Sequence, residues 1–435
     1  MNQTYMVAVI FAITCVIMIA MILKKPTLHI VKKDFSSYWV VALLGAFTML
    51  LFSNITPTYA INSMLSSGSV NPIKILVLFI SMTSISVFLD ETGFFKYLAV
   101  KTLKLAGNSQ YKLFLMLYIT VSVLTVFTSN DIIILTFTPF ICHFAKNANI
   151  SPVPYLTLEF TAANTWSMFL IIGNPTNIYL ASYFNTDFAS YTKIMALPTV
   201  LAGVTAFGII LLLFKKDLKK KAEISDVKAI EINKPLMIMG LFILSACTVL
   251  LAIASYIELE MWIISFLCAV LLFTVVAVFC RIHHDKSHII SNTMHRMPWQ
   301  LIPFVLSMFV MVIALDFNHV TEFIAGFLAN LPMPALTYTL SSALFANFVN
   351  NIPMSVLFCS VSQSSGLGQL AEYASIIGSN VGALITPVGA LAGIMWADIL
   401  NGLGIKYTFK SFVKNGTLIA IPTLVAAAFG LNFVF

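Results

Sequence analysis

The residues best suited to chemistry are polar ones set where the chain is otherwise greasy. Thr128-Ser129-Asn130-Asp131 separates two apolar arms, Leu113–Phe127 and Ile132–Ala145. Downstream, Gly173-Asn174-Pro175-Thr176-Asn177 breaks the apolar run Pro154–Tyr183. The second half repeats the pattern. Asn350-Asn351 sits between apolar arms, and Ile385-Thr386-Pro387-Val388-Gly389 breaks the run Tyr373–Leu400. Hydroxyls, amides, carbonyls and a carboxylate are the oxygen ligands hard cations prefer. Helix N-termini exposed at the same breaks favour an anion, and each proline removes a backbone donor, freeing carbonyls. Such a set can hold a cation and an anion without any Lys or Arg. A Na⁺ site would draw on Ser129, Asn130, Asp131 and Gly173. Asn164 and Asn380, one to three turns before the breaks, are further candidates.

This chemistry is reversible binding. No nucleophile–base set or paired acids stand at depth, so an intramembrane enzyme is disfavoured. No GxxxxGK loop exists for ATP. A channel would need one motif repeated around a ring, whereas this chain has an internal pair. Each polar residue also has a plainer reading. Asp131 is a favoured cap for a helix starting at Ile132, the amides can join neighbouring helices, and Pro175 and Pro387 can simply kink theirs. The six cysteines are scattered and suit packing, and His283-His284 with His288 and Asp285 suits a solvated loop.

The elements that must position these residues follow from composition. The 435 residues are 59% hydrophobic and 9% charged, with a mean hydropathy of +0.95. Ordinary soluble chains carry about 25% charged residues, so the fold class is an all-α polytopic membrane protein. The arms around residues 128–131 have about 15 residues each, short of the ~20 needed to cross the hydrocarbon core. They read as a re-entrant hairpin, 113–145, and a second is expected at 336–363. Irregular backbone at membrane depth survives only where protein or a water-filled cavity satisfies it, so 154–183 and 373–400 read as broken helices. The expected layout has ten crossings: 6–23, 38–52, 73–89, 154–183, 192–214, 235–255, 261–280, 299–315, 373–400 and 412–435.

Positive charge supports this layout. With both termini outside the cytoplasm, 22 of the 24 Lys and Arg fall on the cytoplasmic side and only Lys74 and Lys193 fall opposite, the bias expected of membrane proteins. The basic residues thus have a topological explanation and imply no nucleic acid. The first hairpin then enters from the cytoplasm and the second from outside, the geometry of an inverted repeat. Residues 1–214 form the first half with 6–23 as an extra helix, 215–234 a cytoplasmic linker, and 235–435 the second half with extra helix 235–255. The order of echoes agrees: Leu89-Asp90 with Leu315-Asp316, Ser129-Asn130-Asp131 with Val349-Asn350-Asn351, and Gly173-Asn174-Pro175-Thr176 with Ile385-Thr386-Pro387-Val388. Segments 91–105 and 319–331 suit amphipathic interfacial helices.

At Phe88-Leu89-Asp90-Glu91-Thr92-Gly93-Phe94-Phe95, the two tips, Gly378-Ser379-Asn380-Val381-Gly382, the 385–389 break and Trp396, the chain resembles the ion transporter superfamily. Within it the arsenite/antimonite permease-like branch is the most similar, related to sodium-coupled carboxylate and sodium/proton antiporter families. The resemblance covers nearly the whole chain. It implies a homodimer in the plasma membrane, with a scaffold domain and an elevator-type transport domain holding both hairpins. A small anion, oxyanion or metalloid would be moved by a Na⁺ or H⁺ gradient, with a partner ATPase as another energy source and no cofactor beyond a coupling Na⁺. The arsenite branch carries aspartates at the positions of Asn164 and Asn380 and a lysine at that of Leu384. The Gly-Asn-Pro-Thr-Asn break is closer to the carboxylate branch. A citrate- or dicarboxylate-like symporter and a Na⁺/H⁺ antiporter therefore stand beside arsenite efflux.

Overall fold

The computed structural model describes residues 3–25, 27–30, 33–65, 71–107, 109–219, 232–283, 288–405 and 407–435. Most of the expected linker, together with His284 and Asp285, lies outside them. Among the described residues the regular structure is helical apart from one short hairpin, β1 (Thr27–Ile30) paired antiparallel with β2 (Lys33–Ser36). In the first half, α1 (Gln3–Lys24) leads through that hairpin to α2 (Ser37–Phe52) and α3 (Pro57–Leu65). Next come α4 (Pro72–Glu91), α5 (Phe94–Ala106), α6 (Gln110–Phe127), α7 (Asn130–Asn147), α8 (Val153–Trp166), α9 (Pro175–Tyr183) and α10 (Phe188–Phe214). In the second half, α11 (Lys234–Ala252), α12 (Met261–Ile282), α13 (Ile289–Arg296), α14 (Leu301–Phe317) and α15 (Val320–Ala329) precede α16 (Pro334–Val349). The chain ends with α17 (Asn351–Ser364), α18 (Gln369–Gly382), α19 (Leu391–Gly402) and α20 (Phe409–Asn432).

Capping chemistry sets many of these boundaries. Asn71 accepts from Ile73 and Lys74 N–H at 2.9 and 3.3 Å, with Pro72 in the first turn of α4. Asp187 starts α10 by accepting from Ala189 and Ser190 N–H, both at 3.0 Å. Ser109 accepts from Lys112 N–H at 3.3 Å, so α6 begins three residues before its apolar run. Its 18 residues rise about 27 Å, enough on length alone to cross the membrane. Among the described residues eight helices are that long and apolar, or nine if α2 and α3, bent by 116°, make one span. α5 is amphipathic, with Phe95, Ala99 and Leu103 buried and Lys96, Lys101 and Lys104 exposed.

The two halves exchange partners. α2 packs on α14 and α12 on α4; α7 packs on α19 and α17 on α9; α10 and α20 lie against each other. Small residues bring α16 and α18 close: a Cβ on Gly382 would stand 2.7 Å from Ala343 Cα. Such contacts favour association where lipid removes the hydrophobic drive between helices.

The breaks repeat at one separation, 216 residues. α8 and α18 start at Val153 and Gln369 and end at Trp166 and Gly382; the 3₁₀ turns are Ile171–Gly173 and Pro387–Gly389; α9 and α19 start at Pro175 and Leu391. Backbone angles follow: Leu170 (φ −118°, ψ 152°) matches Thr386 (−135°, 153°), and Asn174 (−151°, 140°) matches Ala390 (−147°, 155°). This corrects the pairing of the echoes. Pro175 corresponds to Leu391 and Pro387 to Ile171, because Pro175 opens a half-helix whereas Pro387 opens the 3₁₀ turn.

Candidate functional site

Each break is a stretch of chain that has left the helical ladder, and its carbonyls need other donors. In the first break, Asn177 Nδ2 donates to Ser167 O at 2.8 Å and Leu170 O at 3.1 Å. Gly173 fits because a Cβ there would collide with the Ser167 carbonyl. Asn174 caps α9 by accepting from Thr176 N–H at 3.2 Å, with Pro175 as first helical residue. In the second break, Asn347 Nδ2 donates to Gly382 O at 2.8 Å, while its Oδ1 accepts from Thr386 Oγ1 at 2.7 Å. Gly389 closes the turn begun at Pro387, its N–H donating to Thr386 O at 3.1 Å.

Asn164 and Asn380 occupy equivalent places, each donating to the carbonyl four residues back, Phe160 and Ile376, at 2.8 Å. From there they differ. Asn164 Oδ1 accepts from Asn130 of the first tip at 3.2 Å. Asn380 Oδ1 accepts from Asn174 Nδ2 at 2.9 Å and Ser167 Oγ at 2.8 Å, and its Nδ2 donates to Asn177 Oδ1 at 2.7 Å. Ser167 Oγ also stands 3.0 Å from Asn164 O. A buried chain of amides therefore runs from Asn130 through Asn164 and Ser167 to Asn380 and back to Asn174 and Asn177.

The tips are built differently. Two residues, Thr128 and Ser129, separate α6 from α7, but Asn350 alone separates α16 from α17. Asn350 adopts φ +78° and donates through Nδ2 to Val388 O at 2.9 Å. Buried Asn351 opens α17. No hydrogen bond among the described residues joins the two tips directly; both attach to the breaks.

Asp131 is not the cap expected at Ile132. The helix begins at Asn130, and Asp131 lies in its first turn. Among the described residues its carboxylate, half-buried, has no hydrogen-bond or ion-pair partner; Tyr38 of α2 stands within electrostatic reach. Beside it, Ser129 Oγ and Asn130 Oδ1 are buried with no partner, as is Thr176 Oγ1 at the first break. Thr128 is satisfied locally, donating to Leu124 O at 2.7 Å. Free acceptor oxygens on three adjacent residues fit an oxygen-liganded cation. A cavity of about 10 Å³ touches Thr128, Ser129 and Ile172 together with Thr83 and Ser86 of α4, room for about one water.

Sequence reasoning missed Ser167, Asn347 and the α4 pair Thr83 and Ser86. An isolated Ser or Asn in a helix gives no signal; only the pairing of the breaks would have pointed to Ser167, which stands where the first helix stops. Among the described residues no three of His, Cys, Asp or Glu come together, His283 and His288 included.

Residues 17–374 match the family described as CitMHS, citrate transporter. The chain is 26% identical to the Escherichia coli arsenical pump membrane protein over 378 residues, covering 82% of this chain and 86% of that protein. It is 27% identical to the Yersinia enterocolitica arsenical pump membrane protein over 364 residues, covering 80% and 83%. The fold resembles the crystal structure of the Alcanivorax borkumensis YdaH transporter, with a TM-score of 0.57 at 12% identity, across 100% of this chain and 98% of that one. With the helices, paired breaks and matches taken together, the chain is a multi-pass membrane transporter, not an enzyme, and belongs to the CitMHS citrate transporter family of the ion transporter superfamily.

Proposed function

We propose that this protein is a secondary active transporter of a small anion, oxyanion or metalloid, driven by a Na⁺ or H⁺ gradient, with arsenite/antimonite efflux as the leading activity. The observation that carries the reading is the amide chain centred on Asn380, which fastens the first break to α18 and reaches, through Asn164, the Asn130 neighbour of the unpaired Asp131 carboxylate. Half-helix starts at Pro175 and Leu391 supply N-termini suited to an anion. The oxygens of Ser129, Asn130 and Asp131 suit the coupling cation, with Thr176, Asn350, Asn351 and Thr386 close to the breaks. The relatives named as arsenical pump membrane proteins support the metalloid.

The cavity beside Thr128 and Ser129 has room for about one water, so passage of a larger solute there calls for movement. An elevator displacement of the unit holding both helix–turn–helix segments against a scaffold of α2, α4, α12 and α14, in a homodimer of the plasma membrane, supplies it. The re-entrant paths of α6–α7 and α16–α17, the ten crossings and both termini outside belong to this proposal. A second reading, Na⁺-coupled carboxylate transport, is favoured by the family's description and by the uncharged Asn164, Asn380 and Leu384.

The test is reconstitution. Proteoliposomes loaded with arsenite or with citrate are given a Na⁺ gradient, an H⁺ gradient or neither. Arsenite flux that follows one gradient supports the leading reading, and citrate flux alone replaces it with the second. Flux of either solute that ignores both gradients ends the secondary-transport proposal.

A further inference from the structure

One buried acid has no part in the breaks. Glu372, in the first turn of α18, is fully buried, and Thr186 Oγ1 approaches both of its oxygens, at 2.9 and 3.1 Å. One hydroxyl carries one proton, so two carboxyl oxygens share a single hydrogen bond. The groups facing Glu372 are Tyr191 of α10, Cys359 of α17 and Tyr373 on its own helix, with Asp187 beyond Tyr373. None is a cation, and no titratable side chain of α8, α9, α16 or α20 among the described residues acts on it. An anion buried with so little compensation is costly, and a helix N-terminus offsets only part of that cost.

Thr186 gives this carboxyl a way out. It lies in the turn between α9 and α10 and lines a polar cavity of about 430 Å³, together with Ser182, Asn185, Asp187, Lys74 and Glu260. Glu159 shows what the cavity adds. It too is fully buried and held by one threonine, Thr138 at 3.0 and 3.2 Å, yet neither residue lines this cavity.

We propose that Glu372 is a proton-exchange site, connected to the polar cavity at the α9–α10 turn through the Thr186 hydroxyl. On release, the carboxyl O–H bond breaks as its proton moves to Thr186 Oγ1, and Thr186 passes its own hydroxyl proton to water in the cavity. Uptake reverses both transfers, so one proton crosses and nothing is oxidised. The site stands by itself; its service in turnover rests on the transporter reading above.

Infrared difference spectroscopy of purified full-length protein in lipid nanodiscs, stepped between acidic and alkaline buffer, tests the site without any substrate. A protonated-carboxyl stretch that changes with pH is expected in the wild type and lost in Glu372→Gln. On transfer to heavy water, the shift of that band should slow at least about tenfold in Thr186→Val, a barrier change of ~1.4 kcal/mol, and recover in Thr186→Ser. The threonine pair keeps the test decisive if Glu372→Gln does not fold. A band that is absent, insensitive to pH, or exchanged equally fast in Thr186→Val overturns the proposal. If the band behaves as expected while proteoliposomes show no gradient-driven flux, the transporter reading fails and the proton site survives.

Discussion

Ser167 and Asn380 meet at 2.8 Å although 213 residues separate them. One ends the first helix of the first break, and the other lies in the last turn before the second. The bond ties the two halves at the place where both lose helical structure, and Asn174 and Asn177 complete it from the same side.

Replacing the hub should be costly. Asn380→Ala strands Asn174 Nδ2 and Asn177 Oδ1 and leaves Ser167 Oγ only the Asn164 carbonyl. A buried group left unsatisfied costs about 1–3 kcal/mol, so the thermal midpoint in detergent should fall and transport should cease. A midpoint equal to wild type would show that the network adds nothing to stability.

Asp131→Asn keeps size and removes charge. Asp131 neither caps α7 nor accepts a hydrogen bond from the described residues, so the folded state loses only an interaction with the helix N-terminus, about 0.3–1 kcal/mol. Substrate should still bind in a thermal-shift assay, while gradient-driven accumulation or extrusion is lost. Equal gradient-driven rates at matched abundance would remove Asp131 from coupling.

Gly173→Ala and Gly208→Ala should part company. At 173 a Cβ meets the Ser167 carbonyl, whereas at 208, within α10, nothing lies within 4 Å. The first variant should lose transport and melt early. The second should keep transport and gain up to about 1 kcal/mol, since alanine is the better helix former. Parallel behaviour of the two would contradict the close approach at the first break.

Labelling of single cysteines, in a background lacking the native six, tests the charge-derived orientation. Lys216→Cys and Ile257→Cys lie at exposed positions and should react from opposite faces of the membrane. Reaction from one face alone would rule out the proposed arrangement.

The class of the chain and most of its helices were legible because lipid leaves a plain record: long apolar runs, with polar residues only where backbone or solute demands them. The breaks at 173–177 and 385–389 stood out for that reason. Their register did not, since proline drew the eye to Pro175 and Pro387 while the backbone angles pair Asn174 with Ala390. Asn164 and Asn380 looked like ordinary interhelical bonders, because a single amide does not reveal its partner in the other half. The arm before Thr128 proved three residues longer than its greasy run, because Ser109 starts α6 at Gln110.

The reciprocal seating of α7 on α19 and of α17 on α9 bears on how the protein is made. When a ribosome has finished the first half, α7 and α9 still lack the surfaces they will occupy, which start 261 and 176 residues after them. Asn174, Asn177 and Ser167 must wait in the bilayer with their later partner unsynthesised, a vulnerable stage for a growing chain. Two separately expressed halves, cut within 215–234, should therefore each be short-lived and become durable when made together.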